Sequence, residues 1–384
     1  MGRKYFLPAC VLFMICILIE GCKREEFVWG TKVGDITYSE DVMLLGEEEI
    51  MVLSGVSENE IVFSGTTTEL DKLTDLNYLV AGITEKTPYG LLRKITGIRN
   101  DGTAIILTTT DAVLTDIIKE GVIALQMKLQ EKNFTLKSKM DGVLVTGPNK
   151  AFEGLAVTLE NFEMFRDGAR IAILNGSIGI SPEINLRIKI SGKRINEINL
   201  VTTLNKIDEI TITSNGEFSG TREIVAAEFV HSPIIIDSLV FIPEVRIICG
   251  YDGSVSGTVT TGVRQDRIIT SEINYTTSKW SEDPLTNTEN HDFARPLITE
   301  NSDLKIFSGP EISLRLFGIP LQTIKATGYY SLKAQKTGSP LWRLFIGGDG
   351  QNSIIPDILG LNDGYVSNLT IQTAEIANAN TRRK

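Results

Sequence analysis

Histidine is the scarcest chemically versatile residue in this chain of 384 residues, which contains only His231 and His291. Proteins use histidine more than any other side chain as a general base and as a metal ligand, so little remains for a histidine-based active site. Neither a His-x-x-x-His nor a Cys-x-x-Cys pattern occurs. We therefore predict no metal and no cofactor.

Two other catalytic signatures are also missing. The Gly-x-Ser-x-Gly turn of serine hydrolases does not occur, because Val255 stands at the centre of the nearest pattern, 253–257. No Gly-x-x-x-x-Gly-Lys-Ser/Thr loop is present to hold a nucleotide phosphate. The glycine-rich stretch 347–350 lacks the strand-to-helix context that a dinucleotide site needs.

Clusters of basic residues are absent from the part of the chain that is expected to fold. The formal net charge is -10 and the pI is about 5.0. Nucleic-acid binding depends on Lys and Arg side chains that neutralise phosphates, and here such residues gather only at the C-terminus, 382–384. We predict no nucleic-acid partner.

The N-terminus has the pattern of an export signal. Arg3 and Lys4 precede an apolar stretch from Phe6 to Ile19, which is short for a membrane span and typical of a secretory signal. The stretch 18–22, which ends in Cys22, resembles the lipobox of bacterial lipoproteins, although Glu20 departs from that pattern.

This resemblance implies a lipoprotein signal peptide at residues 1–21 that is removed, palmitate and related lipid on Cys22, and a short tether at 22–26. The alternative is an uncleaved apolar anchor that ends at Ile19. Both interpretations place the rest of the chain outside the cytoplasm, in the cell envelope of a bacterium. The predicted partner here is the membrane, through the lipid anchor.

Cysteine is also scarce. Cys10 and Cys16 lie in the predicted signal and Cys22 is the predicted lipidation site, so Cys249 is the one cysteine left in the mature chain. No intramolecular disulfide can then form. Because Cys249 follows Ile247 and Ile248, we expect it to be a small buried core residue.

A two-residue period is the strongest structural signal. Apolar and polar residues alternate from Ile184 to Ser191, as expected for a strand with one buried face. Residue pairs that favour tight turns separate it from similar runs: Asn175-Gly176, Ser181-Pro182, Gly192-Lys193 and Asn215-Gly216. The pattern predicts an antiparallel meander.

The same pattern, with strand-like runs on both sides, predicts an all-β fold. We expect an antiparallel β-sandwich or meander at residues 148–384 and a smaller barrel-like β module at residues 27–147. One short helix is predicted at Ala112–Glu120, where Asp111 can cap the start and Gly121 the end.

A polar stretch, Glu282–Asp303, interrupts the strand pattern and predicts a long surface loop. We consider Trp280, His291 and Asp292 as possible ligand contacts there. Trp280 can stack on a sugar ring, and His291 with Asp292 can form part of a catalytic triad. The alternatives are a tryptophan that packs in the core and a loop histidine that is merely solvated.

Asp349, Asn352 and Asp357 place several oxygen ligands close together in sequence. Calcium prefers such ligands, but the spacing does not match the twelve-residue calcium loop. Ordinary turn chemistry is the alternative explanation for these residues.

Four segments resemble parts of large, uncharacterised, secreted β-rich bacterial lipoproteins: Gly-Leu-Leu-Arg-Lys-Ile-Thr at 90–96, Gly-Ser-Ile-Gly-Ile-Ser-Pro-Glu at 176–183, Gly-Pro-Glu-Ile-Ser-Leu-Arg-Leu at 309–316 and Trp-Arg-Leu-Phe-Ile-Gly-Gly at 342–348. The resemblance covers about half of the chain. It implies a secreted β-rich fold and no known activity.

We expect a non-catalytic role in binding, adhesion or envelope structure, with a glycan or another envelope protein as partner. One alternative is a carbohydrate-active hydrolase with two carboxyl groups about 5 to 9.5 Å apart in a cleft. Another is carriage of an apolar ligand between two sheets, which requires an unfilled interior.

Overall fold

The computed structural model describes residues 32–146, 154–283, 286–337 and 339–380. Strands make up 71% of the structure and helices 6%, with two short helices. The predicted all-β, antiparallel fold is confirmed. The predicted signal peptide (1–21), the lipidation site Cys22, the tether (22–26) and the boundary between residues 147 and 148 lie outside the described residues.

The elements before residue 147 are short. In chain order they are β1 (Lys32–Val33), β2 (Ile36–Tyr38), β3 (Val42–Leu44), α1 (Glu47–Val52), β4 (Leu53–Val56), β5 (Glu60–Phe63), β6 (Tyr78–Ala81), β7 (Leu91–Asn100), β8 (Ile105–Asp111), α2 (Leu114–Ile117), β9 (Ile118–Lys128), β10 (Phe134–Lys139) and β11 (Val143–Thr146). Single 3₁₀ turns lie at Leu70–Lys72 and Glu131–Asn133.

Most of the later strands are longer. They are β12 (Leu155–Asp167), β13 (Arg170–Ser191), β14 (Arg194–Asn215), β15 (Phe218–His231), β16 (Ile234–Ile236), β17 (Leu239–Val255), β18 (Thr258–Thr276), β19 (Lys279–Glu282), β20 (Thr286–Ile298), β21 (Ser302–Leu316), β22 (Ile319–Ala334), β23 (Trp342–Ile354) and β24 (Tyr365–Asn378). A third 3₁₀ turn lies at Asp357–Leu359.

Three sheets form from these strands. The small sheet has the order β3-β6-β7-β8-β5-β4 and curls into a half-barrel near the N-terminus. Large sheet 1 contains ten strands, in the order β1-β2-β9-β13-β14-β18-β19, with β12 beside β13, β11 beside β12 and β20 beside β18. Large sheet 2 contains eight strands, in the order β10-β15-β17-β21-β22-β23-β24, with β16 beside β17.

The segment predicted as the N-terminal module contributes to all three sheets. It supplies every strand of the small sheet, it supplies β1, β2, β9 and β11 to large sheet 1, and it supplies β10 to large sheet 2. The strand β9 pairs with β13 along Glu183–Ser191, and β10 pairs with β15.

The two large sheets pack face to face, because one continuous hydrophobic cluster contains side chains from both. Alternate residues of β14 show how the sequence produces this layer. From Ile198 to Ser214, every second side chain is buried and the residues between them are less buried. The alternation that predicted a half-buried strand at 184–191 is confirmed in the same way for β13.

Two of the four predicted turns are wrong. Gly192-Lys193 and Asn215-Gly216 do separate strands, but Asn175-Gly176 and Ser181-Pro182 lie inside β13, which is 22 residues long. The strand has ladder partners on both sides, and this pairing overrides local turn preference. Gly176 has a φ of +137°, and a Cβ there would lie 1.8 Å from the carbonyl oxygen of Glu209, so the close strand contact requires glycine.

Only part of the predicted helix is helical. The structure confines α2 to the four residues Leu114–Ile117, and β9 begins at Ile118. The apolar residues of this segment serve both elements. Leu114 and Ile117 of α2 are fully buried, and Ile118 begins a strand that pairs with β13 and β2.

The predicted polar loop is also a strand. Most of Glu282–Asp303 forms β20, which pairs with β18 from Val259 to Thr270. Among the described strands β20 pairs with β18 alone, so its backbone is ordered by one ladder while many of its side chains remain exposed. Polar composition therefore marked an exposed edge strand rather than a loop.

No helix in the described part of the chain is both long and apolar enough to cross a bilayer.

Candidate functional site

Trp280, a predicted ligand contact, is engaged in packing. It lies on β19 and its ring is half-buried. The ring stacks on Tyr365 with centroids 5.5 Å apart and contacts Tyr275 at 4.7 Å, and Nε1 donates a hydrogen bond to the carbonyl oxygen of Asp363 at 3.3 Å. The side chain thus joins the last strand of large sheet 1 to the last strand of large sheet 2.

His291 and Asp292 are exposed on β20 and do not form a pair. Consecutive residues of a strand point to opposite faces, so the two side chains diverge. Asp292 Oδ1 accepts a hydrogen bond from the amide of Phe293 at 2.8 Å. The structure therefore gives no triad geometry to these two residues.

Trp280 also lies far from His291 and Asp292. Trp280 is opposite Tyr275 of β18, whereas His291 is opposite Gln265 of the same strand. Ten residues of strand correspond to about 33 Å. The three predicted residues are therefore not brought together into one site.

The structure instead places a cluster of charged and polar side chains in the middle of the sandwich. Within large sheet 1, Lys206 is opposite Arg267, and Arg267 is opposite Glu289. Two residues further along the same ladder, Asp208 is opposite Gln265. We call these five residues the central polar layer. Lys206, Asp208, Gln265 and Arg267 are each no more than 4% exposed.

Each charged group of the central polar layer has a partner of opposite sign. Lys206 Nζ donates hydrogen bonds to the Asp208 carboxylate and, at 2.8 Å, to the carbonyl oxygen of Ser308 on β21. Arg267 Nη2 donates to Glu289 Oε1 at 2.7 Å. Gln265 Nε2 donates to the carbonyl oxygen of Tyr329 on β22, at 3.0 Å, so the layer is bonded to both sheets.

Large sheet 2 makes room for these side chains with small residues. Cys249, Ser308, Gly328 and Gly348 are cross-strand neighbours on β17, β21, β22 and β23. A Cβ on Gly328 would lie 2.8 Å from Gln265 Oε1 and 2.9 Å from Lys206 Nζ. A Cβ on Gly348 would lie 2.4 Å from Arg267 Nη1. The two glycines leave the space that the polar side chains occupy.

Burial shifts the pKa values of Lys206, Asp208 and the neighbouring Cys249. It lowers the pKa of Lys206 and raises the pKa of Asp208, while the contact between the two groups opposes both shifts. Burial, followed by the negative charge of Asp208, raises the pKa of the Cys249 thiol to about 12. The thiol is therefore protonated at neutral pH and is a poor nucleophile.

A second feature is a polar groove on the outer face of large sheet 2, with a volume of about 350 Å³. Its charged walls are formed by Lys137, Glu228, Glu244, Arg246, Glu311 and Arg315. Ser313 and Thr323 add hydroxyl groups, and Phe229, Val230, Pro320 and Ile355 complete the lining. We call this the outer groove. Its size is within the usual range for a small-molecule site.

Ion pairs fix most of the charged side chains of the outer groove. Arg246 Nε lies 3.1 Å from Glu228 Oε1, and Arg246 Nη1 lies 2.9 Å from Glu311 Oε1. Arg315 Nε lies 2.9 Å from Glu244 Oε2. Arg246 is directly opposite Glu228 and Glu311 in the ladders, whereas Arg315 is a diagonal neighbour of Glu244, which is opposite Ser313. The strands thus hold these side chains in place.

Hydrogen bonds within the outer groove shift the pKa values of Glu228 and Arg246. Burial tends to raise the pKa of Glu228, but hydrogen bonds from Ser138 and Arg246, together with the charge of Arg246, outweigh burial and lower the pKa overall. The hydrogen bond to Glu311 is the main reason why the pKa of Arg246 is raised. Glu228 and Arg246 are therefore both charged at neutral pH.

Two cavities inside the sandwich are very small. One is lined mainly by Leu and Ile side chains, such as Leu186 and Leu314, together with Gln322, and measures about 10 Å³. The other adjoins the central polar layer and is also about 10 Å³. Each has room for about one water molecule, so neither can hold a lipid or another apolar ligand.

The residues considered for calcium are spread apart. Asp349 is paired with Lys305 at 2.5 Å on the outer face, whereas Asn352 is fully buried and donates to Ser271 Oγ at 3.2 Å. Asp357 lies in the 3₁₀ turn that follows β23. Within the described residues, no group of three or more His, Cys, Asp and Glu side chains is arranged to hold a metal ion.

Sequence reasoning missed the central polar layer and the outer groove. The layer had a visible signal, because Lys206 and Asp208 occupy the same alternating positions as Leu200, Leu204 and Ile210, which are buried. Charged residues on the apolar side of a strand indicate a buried polar cluster. The groove had no comparable signal, since its residues come from five strands that meet only in the folded sheet.

Comparison of the chain with protein-family models, with curated proteins and with solved structures finds no match.

Proposed function

We propose that this chain is an extracytoplasmic protein, held to a bacterial membrane by lipid on Cys22, with a non-catalytic role in binding a neutral glycan. The observation that carries the proposal is the outer groove, in which ion pairs hold all the charged side chains except Lys137 and hydroxyl groups add further hydrogen-bonding capacity. A role in adhesion or envelope structure follows if the glycan belongs to the envelope.

The charge balance of the groove favours a neutral polar ligand. Three cationic side chains, Lys137, Arg246 and Arg315, face three anionic ones, Glu228, Glu244 and Glu311. A polyanion or a polycation would meet repulsion as well as attraction there. Sugar hydroxyl groups can both donate to carboxylates and accept from guanidinium groups, so a neutral saccharide can use both signs of charge.

The ionisation of the groove supports binding over hydrolysis. A glycosidase of the common two-carboxyl type needs a carboxylic acid that stays protonated near neutral pH, usually because its pKa is raised. The pKa of Glu228 is lowered instead, by Ser138 and Arg246 acting against burial. A lowered pKa makes Glu228 a poor candidate for that acid, and Arg246 is hydrogen-bonded to both Glu228 and Glu311.

A glycan array tests the binding function. The purified mature protein should bind a neutral oligosaccharide, and Arg246→Ala should weaken the binding by at least about tenfold, the usual effect of losing a charged hydrogen-bond donor. The matched control is Arg343→Ala, because Arg343 is an exposed arginine on β23 of the same sheet with a distant 4.0 Å partner. Equal binding by both variants, or binding to no glycan, would contradict the proposal. Released reducing sugar would favour the hydrolase instead.

The lipid anchor needs its own test. Labelled palmitate should enter the protein in a bacterial host, and Cys22→Ser should abolish labelling. If the protein is unlabelled but still sediments with membranes, the alternative of an uncleaved apolar anchor at residues 6–19 is favoured.

A further inference from the structure

The central polar layer contains two acceptor atoms without a partner in hydrogen-bonding geometry among the described residues, although the Ser308 hydroxyl is close enough to the Asp208 carboxylate to act on its pKa. They are Asp208 Oδ1 and Gln265 Oε1, both inaccessible to solvent. An acceptor that loses its bond to water on folding and gains no other partner is costly, so such atoms usually mark a site for a small donor molecule.

The two acceptors share one cavity. Asp208 and Gln265 are opposite each other in the β14–β18 ladder, and both line the cavity of about 10 Å³ that is closed on the other side by Ser308, Gly328 and Tyr329. This volume matches about one water molecule. Gly328 is what leaves the space open, because a Cβ there would lie 2.8 Å from Gln265 Oε1.

The second interior cavity has the same volume but a different lining. Its walls are Leu and Ile side chains, and Gln322 Oε1 is its single unpartnered acceptor. A buried water molecule needs two to four polar partners, so this cavity is expected to be dry. Because the two cavities have equal volumes, a comparison between them isolates the effect of polar lining groups on water binding.

We propose that one water molecule is bound in the cavity beside Gly328 and donates one hydrogen bond to Asp208 Oδ1 and one to Gln265 Oε1. It would link Asp208 of β14 to Gln265 of β18 and lie against Gly328 of large sheet 2, so that both acceptors are buried and hydrogen-bonded. The site selects water by its size and by its two acceptors.

The charge balance argues against a metal ion in the same place. Lys206 and Arg267 already match Asp208 and Glu289 in formal charge. A monovalent cation would leave a net positive charge in the interior, which is far more costly than a neutral donor.

A crystal structure with a rubidium soak distinguishes the outcomes. The proposal predicts a single density peak about 2.5 to 3.2 Å from both Asp208 Oδ1 and Gln265 Oε1, without anomalous signal, and no peak in the cavity lined by Leu186 and Leu314. An anomalous peak at the polar site would show a cation. No density there would show a dry cavity, and either result would overturn the proposal.

Gly328→Ala provides a second test, because the new methyl group enters the site. The density peak should be lost in this variant and retained in Gly97→Ala, a strand glycine whose Cβ would meet only ordinary contacts at 3.6 Å. If Gly328→Ala does not fold, the wild-type map and the rubidium soak decide the question alone.

Discussion

Lys206 of β14 lies directly across the ladder from Arg267 of β18, so two cationic side chains stand side by side inside the sandwich. Like charges opposite each other destabilise a sheet unless each is compensated. The charge of Lys206 is balanced by Asp208 of the same strand, and the charge of Arg267 is balanced by Glu289 of β20. Loss of any one of the four groups would therefore leave an uncompensated charge in or beside the interior.

Asp208→Asn should strongly destabilise the fold. The change removes one charge of a buried pair and leaves Lys206 uncompensated beside Arg267. Such losses cost about 3–5 kcal/mol of the free energy of unfolding. Urea-induced unfolding followed by circular dichroism measures the difference.

The matched control for this variant is Asp303→Asn, whose pair with Lys333 is long and exposed. It should change stability by no more than about 0.5 kcal/mol. An Asp208→Asn variant as stable as this control would show that the buried charges are not needed.

Gly348→Ala should also destabilise the protein, by about 1–3 kcal/mol, because overpacking displaces neighbouring groups. The added methyl group would lie 2.4 Å from Arg267 Nη1 and 2.9 Å from Ile371, so Arg267 would have to move away from Glu289. Gly97→Ala, measured in the same denaturation experiment, should be neutral or slightly stabilising. Similar effects at the two positions would contradict the close packing of Gly348 against Arg267.

Cys249 should make stability depend on pH at alkaline values. Burial and the charge of Asp208 raise the pKa of the thiol from 9.0 to about 12. Because the folded pKa is the higher one, the thiol's contribution to the free energy of unfolding is complete below about pH 9 and is lost as the pH rises toward 12. The wild type should therefore lose stability more steeply than Cys249→Ala across this range.

Urea unfolding at a series of pH values measures the difference between the two proteins, in which the other titrating groups cancel. A difference in free energy of unfolding that stays constant from pH 9 upward would mean that folding does not raise the pKa of the thiol. A thiol reagent gives an independent check, since Cys249 should react only after unfolding.

Trp280→Ala should reduce stability without reducing glycan binding. The variant loses the stacking on Tyr365 and the contact with Tyr275 that join the edges of the two large sheets. For a half-buried tryptophan we expect a cost of about 1–3 kcal/mol, less than the value for a fully buried one. Trp280→Phe, which keeps most of the stacking, should recover most of the loss. Unchanged stability with lost binding would instead support the role predicted from the sequence.

The sequence predicted the parts of the fold that depend on local periodicity. The alternation at 184–191 and the turn at Gly192-Lys193 are confirmed, because each follows from a few adjacent residues. The turns at Asn175-Gly176 and Ser181-Pro182 were wrong, because strands distant in sequence pair with both edges of β13. Local preference gives way where long-range pairing is strong.

The candidate sites depend on register, which no local pattern reveals. Lys206 faces Arg267, and Gly328 and Gly348 pack against these side chains, because the fold brings together residues about 60 to 120 positions apart. His291 and Asp292 looked like a catalytic pair because they are adjacent in sequence, yet adjacency in a strand sends their side chains to opposite faces.

The most direct test of the proposed function is a calorimetric titration of the neutral oligosaccharide that binds best on the array. The wild type and Arg343→Ala should bind it with equal affinity, Arg246→Ala at least about tenfold more weakly, and added salt should change the wild-type affinity little because the ligand is uncharged. Equal affinity of Arg246→Ala and the wild type would contradict the assignment of the outer groove as the binding site.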